Sequence, residues 1–183
     1  ARGGPALLFE HIKGSPYPLV TNLFGTKRRI DLAFGDRPRE IISEVARLPH
    51  ELLPPNLSKL WSKRKLFGNL ARIGLSRKRS GAVTEVVESP SYLTKLPLLT
   101  TWRLDGGPFV TLPLVYTEHP TTGAHNLGMY RIHVYDDATT GFHCQIGKGG
   151  GFHLAEAAKL GQKLPVNIHI GGPPALILSA IAP

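Results

Sequence analysis

Apolar residues occur along this chain mainly in short runs that are bounded by glycine and proline. Their length and boundaries predict strands at Ala6–Phe9 and Leu19–Leu23. Enrichment in β-branched and aromatic residues predicts further strands in the second half of the chain. These are Val83–Val87, Phe109–Thr117, Tyr130–Tyr135, Phe142–Ile146 and Val166–Ile170. Because proline cannot donate to a ladder, Pro113 predicts an edge or a bulge within the second of them.

Helical spacing is confined to fewer segments. Residues 36–48 predict a helix, with Asp36 as a cap, Pro38 in the first turn and apolar side chains recurring on one face. Residues 56–72 and 152–160 predict two more helices, and a last apolar helix follows Gly171–Pro174. Strands outnumber helices and cluster in one half of the chain. This order predicts an α+β domain, or a barrel-like β domain with a helical insertion.

The most informative segment is a predicted hairpin with a turn at Asp136–Gly141. Since side chains alternate across a strand, Ile132, Val134 and Cys144 belong to an apolar face. The other face gathers polar side chains: Arg131, His133, His143 and Gln145. Such a face can be plain solvated surface, which is the default for an antiparallel sheet. It can also be the floor of an anion site, because arginine presents a planar fork of donors to carboxylate or phosphate.

A glycine-rich turn, Gly147–Gly151, connects this hairpin to the next predicted helix. Glycines let backbone N–H groups approach a ligand closely, and a helix N-terminus together with Lys148 favours an anion. The spacing differs from that of a Walker loop. The segment alone is equally a flexible turn. Beside the polar face of the hairpin, it indicates a phosphate site.

Charge and composition narrow the choice of partners only in part. The 183 residues are 42% hydrophobic and carry a net charge of +9, which fits a globular protein with an anionic partner. That partner could be a phosphate-bearing cofactor, a carboxylate substrate, an acidic domain or a nucleic acid. The basic run Lys59–Arg79 lacks the interleaved aromatics of nucleic-acid sites, so we favour a solvated helix face or a domain-facing surface over a nucleic-acid patch.

The sequence gives little support for a disulfide, a membrane span, a zinc site or a nucleophilic serine. A single cysteine, Cys144, excludes an internal disulfide and predicts a reducing compartment, hence the cytoplasm. No apolar run approaches the roughly 20 residues of a membrane span. The eight histidines lack the spacing of a zinc site, and no serine lies in a nucleophile elbow. Both ends look cut, which predicts a fragment of a longer chain.

Several motifs, in order along the chain, resemble the flavin-binding domain of UbiD-type decarboxylases. They are Arg2–Glu10, Asn22–Thr26, Asp105–Phe109, Asn126–Arg131, Thr140–Gly141 with Lys148–Gly150, and Gly171–Ala175. The resemblance covers nearly the whole chain. It implies an α+β fold: a split β-barrel, flavin-reductase-like domain over residues 1–183, with a basic helical insertion at about 36–80.

The resemblance also implies a cofactor and the residues that hold it. The cofactor is prenylated FMN, whose phosphate is held in the family with a divalent metal, usually Mn²⁺, and K⁺. By position, Asn126 is implied as a metal ligand and Arg131 as the catalytic arginine of a Glu–Arg–Glu network. The other implied cofactor contacts are Met129, Tyr130, Arg131, His143, Cys144, Gln145, Lys148 and Gly149.

The sequence departs from the family pattern at Gly147, where many members carry a metal-binding histidine. The family's catalytic carboxylates and a further acidic metal ligand lie beyond Pro183. The implied function is therefore the flavin-binding domain of a carboxy-lyase that acts non-oxidatively on an aromatic or α,β-unsaturated carboxylic acid. This chain alone is expected to be inactive.

The resemblance implies partners as well. They are the missing C-terminal part of the protein, a flavin prenyltransferase as cofactor supplier, and a second copy in a homo-oligomer of the complete enzyme. Two alternatives remain open. One is a catalytically incomplete flavin-binding module; the other is a basic nucleic-acid-binding domain.

Overall fold

The computed structural model describes residues 3–35, 43, 47–48, 57–71, 78–145 and 147–181. The chain divides into two compact units, one formed by residues 1–25 with 88–183 and the other by residues 26–87. Nearly all of the helix predicted at 36–48 lies outside the described residues. The assignment of all 183 residues to one domain with an insertion stays a prediction.

The first unit opens with a short antiparallel pair, β1 (Leu7–Phe9) and β2 (Leu19–Thr21). Both predicted strands are confirmed. Asn22 follows β2 in a left-handed conformation with φ 56°, and its side-chain amide donates to the carbonyls of Gly4 and Pro5 at 3.0 and 2.9 Å. This amide therefore ties the end of β2 to the segment before β1.

Two three-stranded antiparallel sheets make up the rest of the described strands. One has the order β3-β6-β7 and the other the order β5-β4-β8. The strands are β3 (Phe109–Val110), β4 (Leu114–Glu118), β5 (His125–Met129), β6 (Ile132–Val134), β7 (Thr140–Phe142) and β8 (Val166–His169). Residues 111–113 connect β3 to β4, and Tyr130 and Arg131 alone connect β5 to β6. The fold is a mixture of small sheets and few helices, and the described strands form no closed barrel.

The core of this unit lies against the β6–β7 hairpin. Its buried members are Val110, Val115, Tyr130, Ile132 and Val134, with Leu93, Leu98, Phe142, Cys144 and Val166 packed around them. The apolar face predicted for the hairpin is therefore confirmed on its first strand. Burial of these apolar side chains is the main force that stabilises this unit.

The strand predicted at Phe109–Thr117 is two strands, because the chain turns between them. Leu112 has φ 54° and the next residue is Pro113, which has no N–H for a ladder. The interruption expected at Pro113 is confirmed. It allows the two halves to pair in different sheets, β3 with β6 and β4 with β5 and β8.

The second hairpin strand lies earlier than predicted, at 140–142 instead of 142–146. The carboxylate of Asp136 accepts the backbone N–H groups of Ala138 and Thr139 at 2.8 and 2.7 Å, which closes a tight turn. Pairing consequently begins with Val134 opposite Thr140. Strand pairing beyond Phe142 was therefore predicted wrongly, but the alternation is confirmed as far as Gln145: Phe142 and Cys144 pack on the core, whereas His143 and Gln145 are exposed.

The strand predicted at Val83–Val87 was also wrong. Ala82–Thr84 is a single 3-10 turn, in which the hydroxyl of Thr84 accepts the N–H of Gly81 at 3.1 Å and donates to its carbonyl at 2.8 Å. Such local side-chain bonds compete with a ladder. The valines here are exposed, so no sheet partner offsets that competition.

The helices of the second unit whose bounds the structure describes are α1 (Lys27–Phe34), α2 (Leu57–Ser62) and α3 (Arg64–Ala71). The helix predicted at 56–72 is confirmed, with a break at Lys63. Helix α1 was not predicted, although the hydroxyl of Thr26 caps it by accepting the N–H of Arg29 at 3.3 Å.

The first unit carries α4 (Gly149–Lys159) and α5 (Pro174–Ser179), so both predicted C-terminal helices are confirmed. Helix α4 begins three residues before the predicted start and contacts β4 and β5. Across that contact, the buried His153 and Thr117 hydrogen-bond at 3.0 Å. Among the described residues, no helix has the length and apolar character that a membrane crossing requires.

Candidate functional site

The glycine-rich turn and the end of β5 enclose a cavity of about 460 Å³, which we name the glycine-turn cavity. Its lining comes from three parts of the chain that the fold brings together: the strand that ends at Met129, the start of α4 and the residues that follow α5. The lining residues are Asn126, Leu127, Gly128, Met129, Tyr130, Gly147, Lys148, Gly149, Ala180 and Ile181.

Tyr130 fixes the geometry of this cavity. Its side chain is only 5% exposed, and its hydroxyl accepts the backbone N–H of Gly150 at 2.9 Å. The amide of Asn126 also donates to that hydroxyl, at 3.4 Å. The ring itself packs edge-on against Phe142, with 5.2 Å between the centroids. One buried hydroxyl thus joins the glycine turn to strand β5.

Close approach explains why glycines line the cavity. A Cβ on Gly128 would lie 2.6 Å from the ring of Tyr130, and one on Gly150 would lie 2.9 Å from its hydroxyl. A Cβ on Gly149 would overlap the side-chain amide of Asn126. Any side chain at these three positions would push the helix start away from the sheet.

The electrostatics of the cavity favour an anion. Lys148 is the N-cap residue of α4, is exposed, and holds its ammonium group 5.8 Å from the centroid of the Tyr130 ring. The first turn of α4 contains no acidic residue. A lysine and the positive end of a helix both stabilise negative charge, so the arrangement fits a phosphate.

A second cavity, of about 470 Å³, lies against the β3-β6-β7 sheet, and we name it the arginine cavity. Aromatic rings, imidazoles and one cation line it. The residues are Phe109, Arg131, His133, Tyr135, Gly141, Phe142 and His143. Its aromatic walls and single guanidinium suit a flat molecule that carries a carboxylate.

Arg131 is held on two sides in this cavity. Its two terminal nitrogens donate to the two carboxylate oxygens of Asp105, at 3.1 and 2.7 Å. Its guanidinium carbon lies 3.6 Å from the centroid of the Phe109 ring. The hydrogen bonds from Arg131 are the main reason that the pKa of Asp105 lies below its usual value.

The imidazole of His133 forms the middle of an aromatic stack. Its ring centroid lies 4.4 Å from that of Phe109 and 4.5 Å from that of Tyr135. A Cβ on Gly107 would lie 2.5 Å from the His133 ring, and one on Gly141 would overlap the Tyr135 hydroxyl. A side chain at either glycine would therefore displace one of these rings.

The predicted site residues are divided between these cavities. Asn126, Met129, Tyr130, Lys148 and Gly149 line the glycine-turn cavity, whereas Arg131 and His143 line the arginine cavity. Cys144 packs on the core, and burial raises the pKa of its thiol. Gln145 is exposed, and its carbonyl accepts the N–H of Lys148 at 3.1 Å.

The structure therefore differs from the expectation of one cradle made by the polar ribbon and the glycine turn. Asn126 and Arg131 line different cavities. The reason lies in the link between the sheets: Tyr130 is buried toward one cavity and the next residue is exposed toward the other. The roles predicted for these residues stay predictions.

Asp105 and the ring of Phe109 are the features of the site that reasoning from the sequence missed. The motif Asp105–Phe109 contributes to the family resemblance, but it assigns no role to its acidic residue. Arg131 lies 26 positions further along the chain, so no local pattern relates the two. The only feature of the sequence that could have pointed to Asp105 is its position directly before two glycines.

The described residues do not fit a divalent metal. Asn126 is a neutral donor, and the glycine-turn cavity has no carboxylate, imidazole or thiolate in its lining, while Lys148 adds positive charge. In the part of the chain that the structure describes, no three His, Cys, Asp or Glu residues are grouped as a metal site would require. Gly147 supplies no side-chain donor.

Comparisons with known proteins identify the family of this chain. Residues 75–183, more than half of the chain, match the model of the 3-octaprenyl-4-hydroxybenzoate carboxy-lyase (UbiD) Rift-related domain. Residues 1–48 match the N-terminal domain of the same enzymes. The chain belongs to the UbiD family and is a domain related to its decarboxylases.

Among curated relatives, an uncharacterized protein of Chlamydia muridarum is 50% identical over 98% of the chain. A protein of Chlamydia pneumoniae, named as one of the subunits of a 4-hydroxybenzoate decarboxylase, is 49% identical over 98% of the chain. The chain spans 31% and 30% of the lengths of these two relatives, respectively.

Solved structures share the fold. The evolved dimeric form of the UbiD-class enzyme HmfF from Pelotomaculum thermopropionicum, in complex with prFMN, is 21% identical with a TM-score of 0.70. The match covers 96% of this chain and 37% of that one. The vanillic acid decarboxylase of Sedimentibacter hydroxybenzoicus in closed form is 24% identical with a TM-score of 0.70, and the match covers 96% and 36%.

Proposed function

We propose that this chain forms the flavin-binding part of a UbiD-type carboxy-lyase, which removes or adds a carboxylate on an aromatic or α,β-unsaturated acid without net oxidation. Family membership and the fold shared with a prFMN complex support this proposal. The proposal extends to the split-barrel arrangement of the complete domain. It also includes carboxylates supplied by a C-terminal part and a homo-oligomeric complete enzyme.

The observation that carries the proposal is the glycine-turn cavity. Lys148 and the N-terminus of α4 face a space that the glycines keep open and that the hydroxyl of Tyr130 holds in shape. A flavin mononucleotide brings a dianionic phosphate, which is the charge that this arrangement stabilises. Its ring system would extend toward Met129 and the sheet.

The substrate class rests on the arginine cavity and on the names of the relatives. Those names specify decarboxylases of 4-hydroxybenzoate, vanillic acid and 3,4-dihydroxybenzoic acid. Each of these acids is a flat ring with a carboxylate. The cavity offers two phenyl rings, Phe109 and Phe142, and the guanidinium of Arg131.

In the proposed reaction, prenylated FMN would supply an electrophilic ring system that takes up the electron pair left when carbon dioxide departs. Arg131 would bind and orient the substrate carboxylate, because a planar fork fixes both the distance and the plane of that group. The aromatic walls would exclude water from the reacting bond. No step of the proposal passes through a metal ion.

The test is to co-express the complete enzyme with a flavin prenyltransferase and to record the absorbance and the mass of the purified protein. We expect a bound flavin in the wild type. In Lys148→Gln, which removes the charge and keeps a polar side chain, we expect the affinity for flavin to fall by roughly 10–100-fold and its occupancy to fall with it, since a charged contact contributes about 1.5–3 kcal/mol.

The matched control is Lys163→Gln, which removes an exposed lysine that lines a different cavity. It should load flavin like the wild type. A wild-type protein without any flavin, or equal losses in both variants, would contradict the proposal. Flavin binding without turnover on any aromatic acid would instead favour the catalytically incomplete module.

A further inference from the structure

The carboxylate of Asp105 holds the one arginine of the arginine cavity in a fixed plane. Both of its oxygens accept from Arg131, at 3.1 and 2.7 Å. In this pair the acid is the more buried partner: its side chain is 10% exposed, whereas that of Arg131 is 43% exposed. The carboxylate is thus mostly covered, whereas the side chain of Arg131 stays partly exposed.

Asp105 is itself fixed by its own turn. One carboxylate oxygen accepts the backbone N–H of Trp102 at 3.0 Å, and the N–H of Asp105 donates to the carbonyl of Trp102 at 3.1 Å. Gly106 and Gly107 follow and pass so close to His133 that a Cβ on Gly107 would collide with its ring. These contacts hold the carboxylate of Asp105 in place independently of Arg131.

The ring of Phe109 restrains the same guanidinium from its face, at 3.6 Å from the centroid. Phe109 lies opposite His133 in the β3–β6 pair, so the sheet positions the ring. A carboxylate at one edge and a ring against one face leave a single plane for the guanidinium. Of its five N–H groups, Asp105 engages two, and the exposed side faces the cavity.

We infer that Asp105 is a positioning residue for Arg131: it holds the guanidinium in the plane that presents its free edge to a carboxylate in the arginine cavity. The inference rests on the proposed function for the identity of that carboxylate. The ion pair has no net charge, so Asp105 adds nothing to the attraction of an anionic substrate. Its contribution is orientation, which appears in the rate and not in the affinity.

The kinetic test uses the complete enzyme loaded with flavin. Asp105→Asn retains the size of the side chain and loses the charged two-point contact. We expect kcat per bound flavin to fall by roughly 10–100-fold, the loss typical of a misplaced catalytic group, while KM stays equal or falls. Asp105→Glu restores the charge at a different reach and should recover part of kcat.

Two controls separate positioning from a merely structural role. Asp137→Asn removes another carboxylate that caps a turn, since Asp137 accepts from the backbone and the hydroxyl of Thr94. It should leave kcat unchanged. In an Arg131→Ala background, Asp105→Asn should have no further effect, because both changes remove the same oriented group. Independent, multiplying effects would overturn the inference.

An NMR experiment tests whether Asp105 holds the Arg131 guanidinium, even if the proposed function is wrong. In the complete protein labelled with ¹⁵N-arginine, a guanidinium held at two points rotates slowly and gives separate terminal nitrogen signals. Arg131 should show them in the wild type and in Asp137→Asn, and they should merge in Asp105→Asn. Signals that Asp105→Asn leaves unchanged would overturn the inference. Absence of flavin and turnover in the wild type would refute only the proposed function.

Discussion

The glycine-turn cavity and the arginine cavity have almost the same volume and one cation each, but they hold that cation in opposite ways. Lys148 is exposed, and its nearest described aromatic contact is 5.8 Å away at the Tyr130 ring. Arg131 is fixed by two short hydrogen bonds and a ring. A mobile ammonium suffices for attracting a phosphate, whereas a fixed fork is suited to orienting a reacting group.

The groups that determine the shape of the two cavities differ as well. In the first, glycines pack directly against the side chains of Tyr130 and Asn126, so that its shape depends on the absence of Cβ atoms at Gly128, Gly149 and Gly150. Side chains form the second, and its shape depends on their mutual stacking. Changes in the first should therefore act on cofactor uptake, and changes in the second on turnover.

The largest effect should come from Arg131. We expect Arg131→Ala in the complete enzyme to lower turnover by roughly 10²–10³-fold, while flavin uptake stays near that of the wild type. Steady-state rates measure turnover, which we assign to the arginine cavity. Flavin absorbance measures cofactor uptake, which we assign to the glycine-turn cavity. Arg131→Lys, which keeps the charge without the planar fork, should also be severely impaired.

Near-normal decarboxylation by Arg131→Ala would remove this residue from the mechanism. A loss of flavin in Arg131→Lys would show that the two cavities are not independent. Thermal unfolding of both variants identifies any loss of activity that is only a loss of folded protein.

An intermediate effect is expected for Gly150→Ala. The added Cβ would lie 2.9 Å from the buried hydroxyl of Tyr130, and overpacking of this kind costs about 1–3 kcal/mol. The higher helix propensity of alanine offsets up to about 1 kcal/mol of that cost. We therefore expect the free energy of unfolding to fall by up to about 2 kcal/mol and flavin occupancy to fall with it, as measured by denaturant titration and absorbance.

Gly147→Ala is the matched control in the same turn, because a Cβ there would meet no atom within 4 Å. Its unfolding free energy should stay within about 0.5 kcal/mol of the wild type. Equal behaviour of the two alanine variants would contradict the close packing described at Tyr130.

The smallest effect should be a pH dependence that originates outside both cavities. Burial lowers the pKa of His153, with a smaller contribution from His119, whose ring centroid is 5.5 Å away. The folded state therefore favours the neutral imidazole, and the unfolded chain binds the proton more readily. Stability should be unaffected above about pH 6.5 and should decrease as the pH falls below it.

Denaturant midpoints measured between pH 7.5 and 5 check this prediction. In His153→Gln the decrease between pH 6.5 and 5 should be smaller than in the wild type. If both proteins lose stability in parallel, His153 is not the source, and other groups of the folded protein account for the slope.

The features predicted best from the sequence are those formed by residues that are neighbours along the chain. The glycine turn, Lys148 and the helix after it are neighbours along the chain, so composition and order sufficed to predict the turn and the helix that follows it. Strand β5 was missed because His125, Asn126 and Gly128 have low strand propensity, and only pairing with β4 makes the segment extended. The turn at 120–123, Pro-Thr-Thr-Gly, was the available signal.

The arginine cavity shows where prediction from sequence ended. The polar face containing Arg131 and His133 could be derived from alternation, and the family resemblance added the catalytic role. The partnership with Asp105 joins residues that are distant along the chain, and it exists only because β3 pairs with β6. Likewise, the division into two cavities follows from how the sheets pack, which no local pattern encodes.

The two-residue link between β5 and β6 has a consequence for how this protein can vary. A single peptide bond joins Tyr130 to Arg131, and these neighbours serve different cavities. Substitutions elsewhere in either lining can therefore accumulate separately. Inserting or deleting one amino acid at this point would reverse the orientation of every following side chain in β6, and both cavities would be lost in one event.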